Sequence, residues 1–89
     1  MLHYNNKMKG NLIYYPKWQE IVAYIYRNPG CISTEIYYDL KLSYAGISNI
    51  IKKLAEGNII IKKKIGRAKI LSIHPTHERF AKNISKIIK

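Results

Sequence analysis

Four side chains near the start of one predicted helix are of types that read the edges of DNA bases: Tyr44, Ala45, Ser48 and Asn49. Asn can bond adenine in a bidentate way, Ser can act as donor or acceptor, and Ala can touch a thymine methyl group. Short side chains on the first turns of a helix reach base edges when the helix lies in a major groove about 12 Å wide. The pattern predicts base contacts here, although Tyr44 could instead shield the edge of the core.

Basic side chains follow directly along the chain. Residues 52 to 69 carry seven basic residues against Glu56 alone, in a chain with sixteen Lys and Arg, five Asp and Glu and a net charge of +11. A positive charge of this size attracts nucleic acid or an anionic membrane surface. Alternatively, these basic residues form an ordinary solvated surface. Ser43 fits either a helix cap or a phosphate contact. The candidate backbone contacts are Ser43, Lys52, Lys53, Lys62, Lys63, Lys64, Arg67 and Lys69.

The residue types needed for catalysis are not assembled at any useful spacing. Glu35 and Asp39 are not spaced as a catalytic carboxylate pair, and the sequence has no phosphate-cradling glycine loop. His74, His77 and Glu78 lie close together, but a helix cap and solvent exposure explain them more simply than a metal ion does. We therefore expect no enzyme, no metal and no cofactor, and no small-molecule effector is evident.

The single cysteine and the length narrow the class of protein. Cys31 cannot form an intrachain disulfide, and we interpret it as a small buried residue, with an intersubunit disulfide as the alternative. The 89 residues suit one domain, and no stretch approaches the roughly 18 to 20 apolar residues of a membrane span. We therefore expect the protein to be cytoplasmic and nucleoid-associated, with no membrane partner.

Helical periodicity supplies the elements that would position these side chains. Trp18, Ile21, Val22 and Ile25 form an apolar stripe, which predicts a helix from Pro16 to Arg27. A short helix is predicted over Thr34–Leu40, with Ser33 or Thr34 as its cap. A third is predicted over Ser43–Glu56, with Ser43 as N-cap, Gly46 as a weak point and Gly57 as the C-cap glycine.

The pattern then changes period. Asn58–Lys64 and Lys69–His74 are rich in β-branched residues and flank a turn at Gly66–Arg67, which predicts a hairpin with a basic tip. Pro75 suits the first position of a last helix, with His74 or Thr76 near its cap. The predicted order is helix, short helix, helix, hairpin, helix.

Two short helices joined by a tight turn form a helix-turn-helix, and the whole pattern resembles a known family. From about Lys17 onward, and above all over ISTEIYYDLKLSYAGISNIIKKLAEGNIIIKKKIGRAKILSIHP, the sequence is similar to winged helix-turn-helix regulators, particularly MarR-like and small archaeal ones. The resemblance implies an α+β, mainly α fold and sequence-specific binding of double-stranded DNA for transcription regulation. A recognition helix at about 44–56 would enter the major groove. A basic wing at about 59–73 would contact phosphates or the minor groove.

Dimerisation is the second expectation. The apolar face of the last helix runs almost to the chain end with no later element to cover it, so we expect it to pack on the first helix and on a second subunit. The domain prediction is an N-terminal arm at 1–15, a winged helix-turn-helix at 16–74 and a dimerisation helix at 75–89. The predicted interface residues are Trp18, Phe80, Ile84, Ile87 and Ile88.

Two other functions are also compatible with the sequence. An architectural or plasmid-partition protein that coats DNA with little sequence preference would suit the basic excess and small size. A winged-helix module whose basic face meets an acidic protein is the third hypothesis. The tyrosines outside the basic segment are interpreted as packing in the core, in an interface or at the surface rather than as base-stacking platforms; they are Tyr14, Tyr15, Tyr24, Tyr26, Tyr37 and Tyr38.

Overall fold

The spacing of the apolar residues produces the helices and strands in the predicted order. The structure is a computed structural model that describes residues 17–88. The first half contains α1 (Trp18–Arg27), β1 (Cys31–Ile32), α2 (Ser33–Leu40) and α3 (Tyr44–Glu56). The second half contains β2 (Ile60–Ile65), β3 (Ala68–Ile73), a 3₁₀ turn (Pro75–His77) and α4 (Glu78–Ile87). The predicted arm at 1–15 and the predicted helix start at Pro16 lie outside the described residues.

The core lies between the helices and one face of the sheet. The apolar stripe of α1 is buried, and α4 packs on α1 through Ala81 and Ile84. At the start of α1, the ring of Trp18 stacks on that of Phe80 with centroids 6.1 Å apart and planes 9° from parallel. At the end of α1, the Arg27 guanidinium donates hydrogen bonds to backbone carbonyls near the end of α4. Contacts at both ends of α1 therefore hold α1 and α4 together.

The sheet has three strands in the order β1-β3-β2, all antiparallel. Cys31 pairs with Leu71, and both side chains are buried in the core. Cys31–Ile32 is therefore a strand, and its pairing fixes the middle of β3 to the chain between α1 and α2. Cys31 is buried within the core of its own chain, in agreement with its interpretation as a small buried residue.

The start of α2 differs from the prediction. Neither Ser33 nor Thr34 caps this helix, because both lie within its first turn and the N-cap residue is Ile32. The Glu35 side chain accepts a hydrogen bond of 3.0 Å from the Ile32 amide. Glu35 thus satisfies the amide of the N-cap residue itself, whereas the predicted Ser or Thr cap would accept a hydrogen bond from an amide within the first turn.

The end of α3 is a Schellman motif in which Asn58 has the left-handed conformation (φ 58°). The Asn58 amide bonds the Ala55 carbonyl at 3.0 Å, and the Ile59 amide bonds the Leu54 carbonyl at 2.9 Å. Gly57 has the predicted C-cap position, but its φ of −88° needs no glycine. Asn is one of the residues that tolerate the left-handed region, so Asn58 turns the chain into β2.

The last helix begins later than predicted. Pro75 opens a 3₁₀ turn, and α4 itself starts at Glu78. The His74 ring accepts a bond of 3.2 Å from the Thr76 amide, which matches the predicted cap. Within residues 17–88, no helix is long and apolar enough to cross a membrane.

Candidate nucleic-acid interface

One face of α3 is buried and the opposite face is open. The buried residues are Ile47, Ile50, Ile51 and Leu54. The four predicted base-contacting residues are all exposed, and their spacing of one and four residues places them on a single face of the helix. Lys52 continues this face toward the helix C-terminus and is exposed, whereas Lys53 is half-buried at its edge.

Ser43 is the N-cap of α3, as predicted. Its hydroxyl accepts a hydrogen bond of 3.0 Å from the Gly46 amide. A side-chain carbon added at Gly46 would lie 2.9 Å from that hydroxyl oxygen, which is closer than such atoms pack. Gly46 therefore costs the helix some propensity but leaves room for the cap, so the first turn, which carries Tyr44 and Ala45, is held in place.

The strand register divides the basic residues of the hairpin between two faces. Lys62 pairs with Leu71, and Lys64 pairs with Lys69, so these three lysines share the face that buries Ile60 and Leu71 against the helices. We call Lys62, Lys64 and Lys69 the lysine face. Lys63 pairs with Ile70 on the opposite side, between exposed Ile61 and Ile65. The run of three consecutive lysines is thus not a single contact surface.

The tip of the hairpin is a two-residue turn. Ile65 pairs with Ala68, and Gly66 and Arg67 connect them, with Gly66 in the left-handed region at φ 62°. A short hairpin loop requires such a conformation, and glycine adopts it without steric cost. Arg67 is exposed at this tip, as predicted for a wing residue.

Hydrogen bonds of His74 and His77 stabilise the segment that joins α3 to the hairpin. The His77 ring lies 2.9 Å from the Asn58 carbonyl, and the His74 amide donates to the Ile59 carbonyl at 2.9 Å. The start of α4 thereby holds both ends of the hairpin. Within the described residues, no group of three or more His, Cys, Asp or Glu is placed to hold a metal ion.

The predicted dimer residues do not share one environment. Ile84 is already buried against α1 within the chain, and Trp18 and Ile88 pack at the edge of the same core. Phe80 is covered on one side by Trp18. Ile87 alone projects well into solvent, with 73% of its surface exposed. Most of the apolar face of α4 therefore packs in the core of its own chain. A smaller exposed apolar area remains for contact with a partner.

Sequence reasoning missed a group of exposed aromatic residues beside the recognition face. Tyr37 and Tyr38, interpreted as packing residues, lie at the surface, and the Tyr37 ring contacts that of Tyr44. The sequence signal was the spacing of seven residues between Tyr37 and Tyr44 across a tight turn. The spacing alone does not bring the two rings together, because the angle between α2 and α3 decides whether they meet.

No family model matches the sequence, and a search of curated proteins finds no match. Three solved structures are similar. AF1382 from Archaeoglobus fulgidus is 25% identical, with a TM-score of 0.73 over 82% of this chain and 85% of that one. SSV1 F-93 is 20% identical, with a TM-score of 0.72 over 80% and 83%. A mutant of Lactococcus lactis ZitR in apo form is 17% identical, with a TM-score of 0.72 over 98% and 74%.

These likenesses and the element order agree on the fold. The described residues form an α+β, mainly α, winged helix: four helices and a three-stranded antiparallel sheet, with α2 and α3 as the helix-turn-helix pair and β2–β3 as the wing.

Proposed function

We propose that this winged helix is a sequence-specific regulator of transcription that binds double-stranded DNA. The observation that carries the proposal is the open face of α3. Tyr44, Ala45, Ser48 and Asn49 form one exposed surface on a helix whose opposite face is fully anchored in the core. Side chains held in this way can meet base edges in a major groove with little loss of conformational entropy on binding.

The basic residues support duplex DNA over other anions. Lys52 continues the recognition face, and the lysine face of the wing lies on the side of the sheet where the helices pack. Arg67 extends from the wing tip, where it can enter an adjacent minor groove. A helix for the major groove and a projecting wing for the backbone fit a duplex better than they fit a membrane plane.

In this arrangement the basic residues have unequal roles. Lys52, Lys53, the lysine face and Arg67 contact phosphates or the minor groove, with Ser43 offering its hydroxyl near the backbone. Lys63, on the opposite face of the wing, contributes to the positive field more than to direct contact.

A homodimer completes the proposed function. One recognition helix covers a single half-site, and two that lie about 34 Å apart would read consecutive turns of the major groove. Exposed Ile87 and partly covered Phe80 on α4, with the edge formed by Trp18 and Ile88, supply the apolar surface for this contact. The N-terminal arm at 1–15 and the last helix at 75–89 are proposed to belong to the dimerisation region.

Selection of bound sites from random duplexes tests the proposal, followed by salt titration on the selected site. Asn49→Ala is expected to relax preference at one base position by roughly 1 to 3 kcal/mol, because it removes a bidentate contact. Arg67→Ala is expected to weaken binding to all duplexes alike, because the wing contacts the backbone. Enrichment of no motif, with continuous protection of long duplexes, would instead favour a DNA-coating protein.

A further inference from the structure

The outer edge of β2 is open for pairing. The sheet order β1-β3-β2 places β2 at one edge, and within residues 17–88 this strand pairs with β3 alone. Such an edge presents a row of unpaired N–H and C=O groups that can bond another extended chain. All side chains from Ile61 to Ile65 are exposed as well. A further strand can therefore approach β2 along this edge.

The side chains along the edge alternate between two kinds. Ile61 and Ile65 lie on the face of the wing opposite the lysine face, with 38% and 56% of their surfaces exposed. Lys62 and Lys64 lie on the lysine face itself. The side chains of a strand that pairs with β2 would also alternate between the two faces. Apolar residues would then meet the isoleucines on one face, and acidic residues would meet the lysines on the other.

The charges indicate which kind of chain fits this edge. Lys64 lies opposite Lys69, and within the described residues no lysine of β2 or β3 forms an ion pair. Residues 1–16 contain no Asp or Glu that could supply one. Pairing with the β2 of a second copy would place lysine opposite lysine, which is unfavourable. Lysine on an edge strand thus opposes pairing between copies, and the edge suits an acidic strand from a different protein.

We propose that β2 binds an extended segment of another protein in which acidic residues alternate with apolar ones. The segment adds to the sheet as a strand beside β2, where backbone hydrogen bonds supply affinity and the alternating side chains supply specificity. Its acidic residues pair with Lys62 and Lys64. Since both lysines are proposed DNA contacts, the segment competes with duplex DNA for the lysine face; this consequence alone rests on the proposed function.

The probe is a synthetic peptide that alternates Glu and Val, added to the isotope-labelled full-length chain. We expect shifted NMR signals and slower amide hydrogen exchange along β2, because its outward N–H groups become bonded. Replacement of Val by Ser is expected to weaken binding, because contact with Ile61 and Ile65 is lost. A peptide of the same composition as the probe, with all Glu before all Val, is the control for charge alone. Equal binding of this control and the probe would contradict strand pairing.

Lys62→Glu/Lys64→Glu is the decisive variant. It is expected to lose the Glu-Val peptide and to bind a peptide that alternates Lys and Val, because the charges along the edge are reversed. Lys82→Glu/Lys86→Glu, on the exposed surface of α4, makes the same change in net charge and is expected to keep the preference for the acidic peptide. Thermal unfolding verifies that each variant folds. The same switch of preference in both variants would assign binding to net charge and overturn the inference.

Competition with DNA separates the inference from the proposed function. The selected duplex is expected to displace the Glu-Val peptide from the wild-type chain. Failure of the wild-type chain to bind this peptide, with DNA binding intact, would overturn the inference and leave the proposed function standing. Peptide binding along β2 that the duplex leaves unchanged would support the strand site and contradict the proposed contact of the lysine face with DNA.

Discussion

At the scale of single residues, one hydrogen bond links α1 to the helix-turn-helix. The Tyr24 hydroxyl donates to the Asp39 carboxylate. This bond, with burial and the negative charge of Asp39 as further causes, raises the pKa of Tyr24 from its ordinary value of 10.0 to about 12. Tyr24, predicted only as a packing residue, thus also orients α2 through its hydroxyl.

Alkaline pH is expected to remove this contribution. Tyr24 loses its proton near pH 10 in the unfolded chain and near pH 12 in the folded one, so the stabilisation is complete below pH 10 and is lost as the pH rises to 12. Urea unfolding from pH 8 to 12 should show a smaller decline for Tyr24→Phe than for the wild type. Tyr26→Phe is the control for loss of a hydroxyl on the same helix.

The thiol of Cys31 also affects how stability declines at alkaline pH. Burial, as the main cause, raises its pKa from 9.0 to about 11, so the wild-type decline begins near pH 9. The difference between Tyr24→Phe and the wild type is therefore the informative quantity. An unchanged decline in Tyr24→Phe would contradict the assigned role of the bond with Asp39.

At the scale of elements, Gly46 in the first turn of α3 has two opposing effects on stability. It lowers helix propensity, and it leaves room for the Ser43 cap. Gly46→Ala gains up to about 1 kcal/mol of helix propensity, but its new carbon meets the Ser43 hydroxyl at 2.9 Å. Displacement of this cap costs about 1 kcal/mol, so we expect almost no net change in the free energy of unfolding.

The same substitution made in Ser43→Ala tests this balance. The hydroxyl is then absent, and Gly46→Ala is expected to stabilise that variant by about 1 kcal/mol. A double-mutant cycle measured by chemical denaturation gives the coupling directly. Equal effects of Gly46→Ala in both backgrounds would show that the cap and the glycine act independently.

The wing offers a second test at this scale. Lys64 lies directly opposite Lys69, and like charges that face each other on neighbouring strands are destabilising. Lys64→Gln is therefore expected to stabilise the fold slightly while reducing the salt slope of DNA binding by about 0.9. Thermal unfolding and a salt titration on one duplex measure the two effects.

Lys63→Gln is the matched comparison for Lys64→Gln, since it removes the same charge from the opposite face of the same strand. We expect a smaller reduction in the salt slope and no gain in stability. Indistinguishable behaviour of the two variants in both measurements would show that the faces of the wing are equivalent.

At the scale of the whole molecule, the proposed dimer depends on the exposed surface of α4. Ile87 is 73% exposed, so a change there leaves the chain's own core intact. Ile87→Lys is expected to convert a dimer into a folded monomer and to weaken binding to a two-half-site duplex, while a single half-site is affected less. Sedimentation of the wild-type chain as a 10 kDa species at tens of micromolar would contradict the proposed dimer.

Much of the organisation could be predicted from the sequence because its signals are local. Apolar spacing placed the helices, and a glycine-containing turn between β-branched runs indicated the wing. The ends of elements were less predictable. A cap can come from any of several nearby polar groups, which is why Glu35 capped α2 and Asn58 turned the end of α3.

By itself, therefore, the sequence determined the order of elements, the exposed face of α3 and the concentration of positive charge beyond it. Only the tertiary structure decided that β1 pairs with β3, that the lysine face excludes Lys63, and that Tyr37 and Tyr38 stand beside Tyr44. The physical reason is the range of the interactions involved. Periodicity and turn chemistry act over a few residues, whereas strand register and interhelical angle depend on contacts between distant parts of the chain.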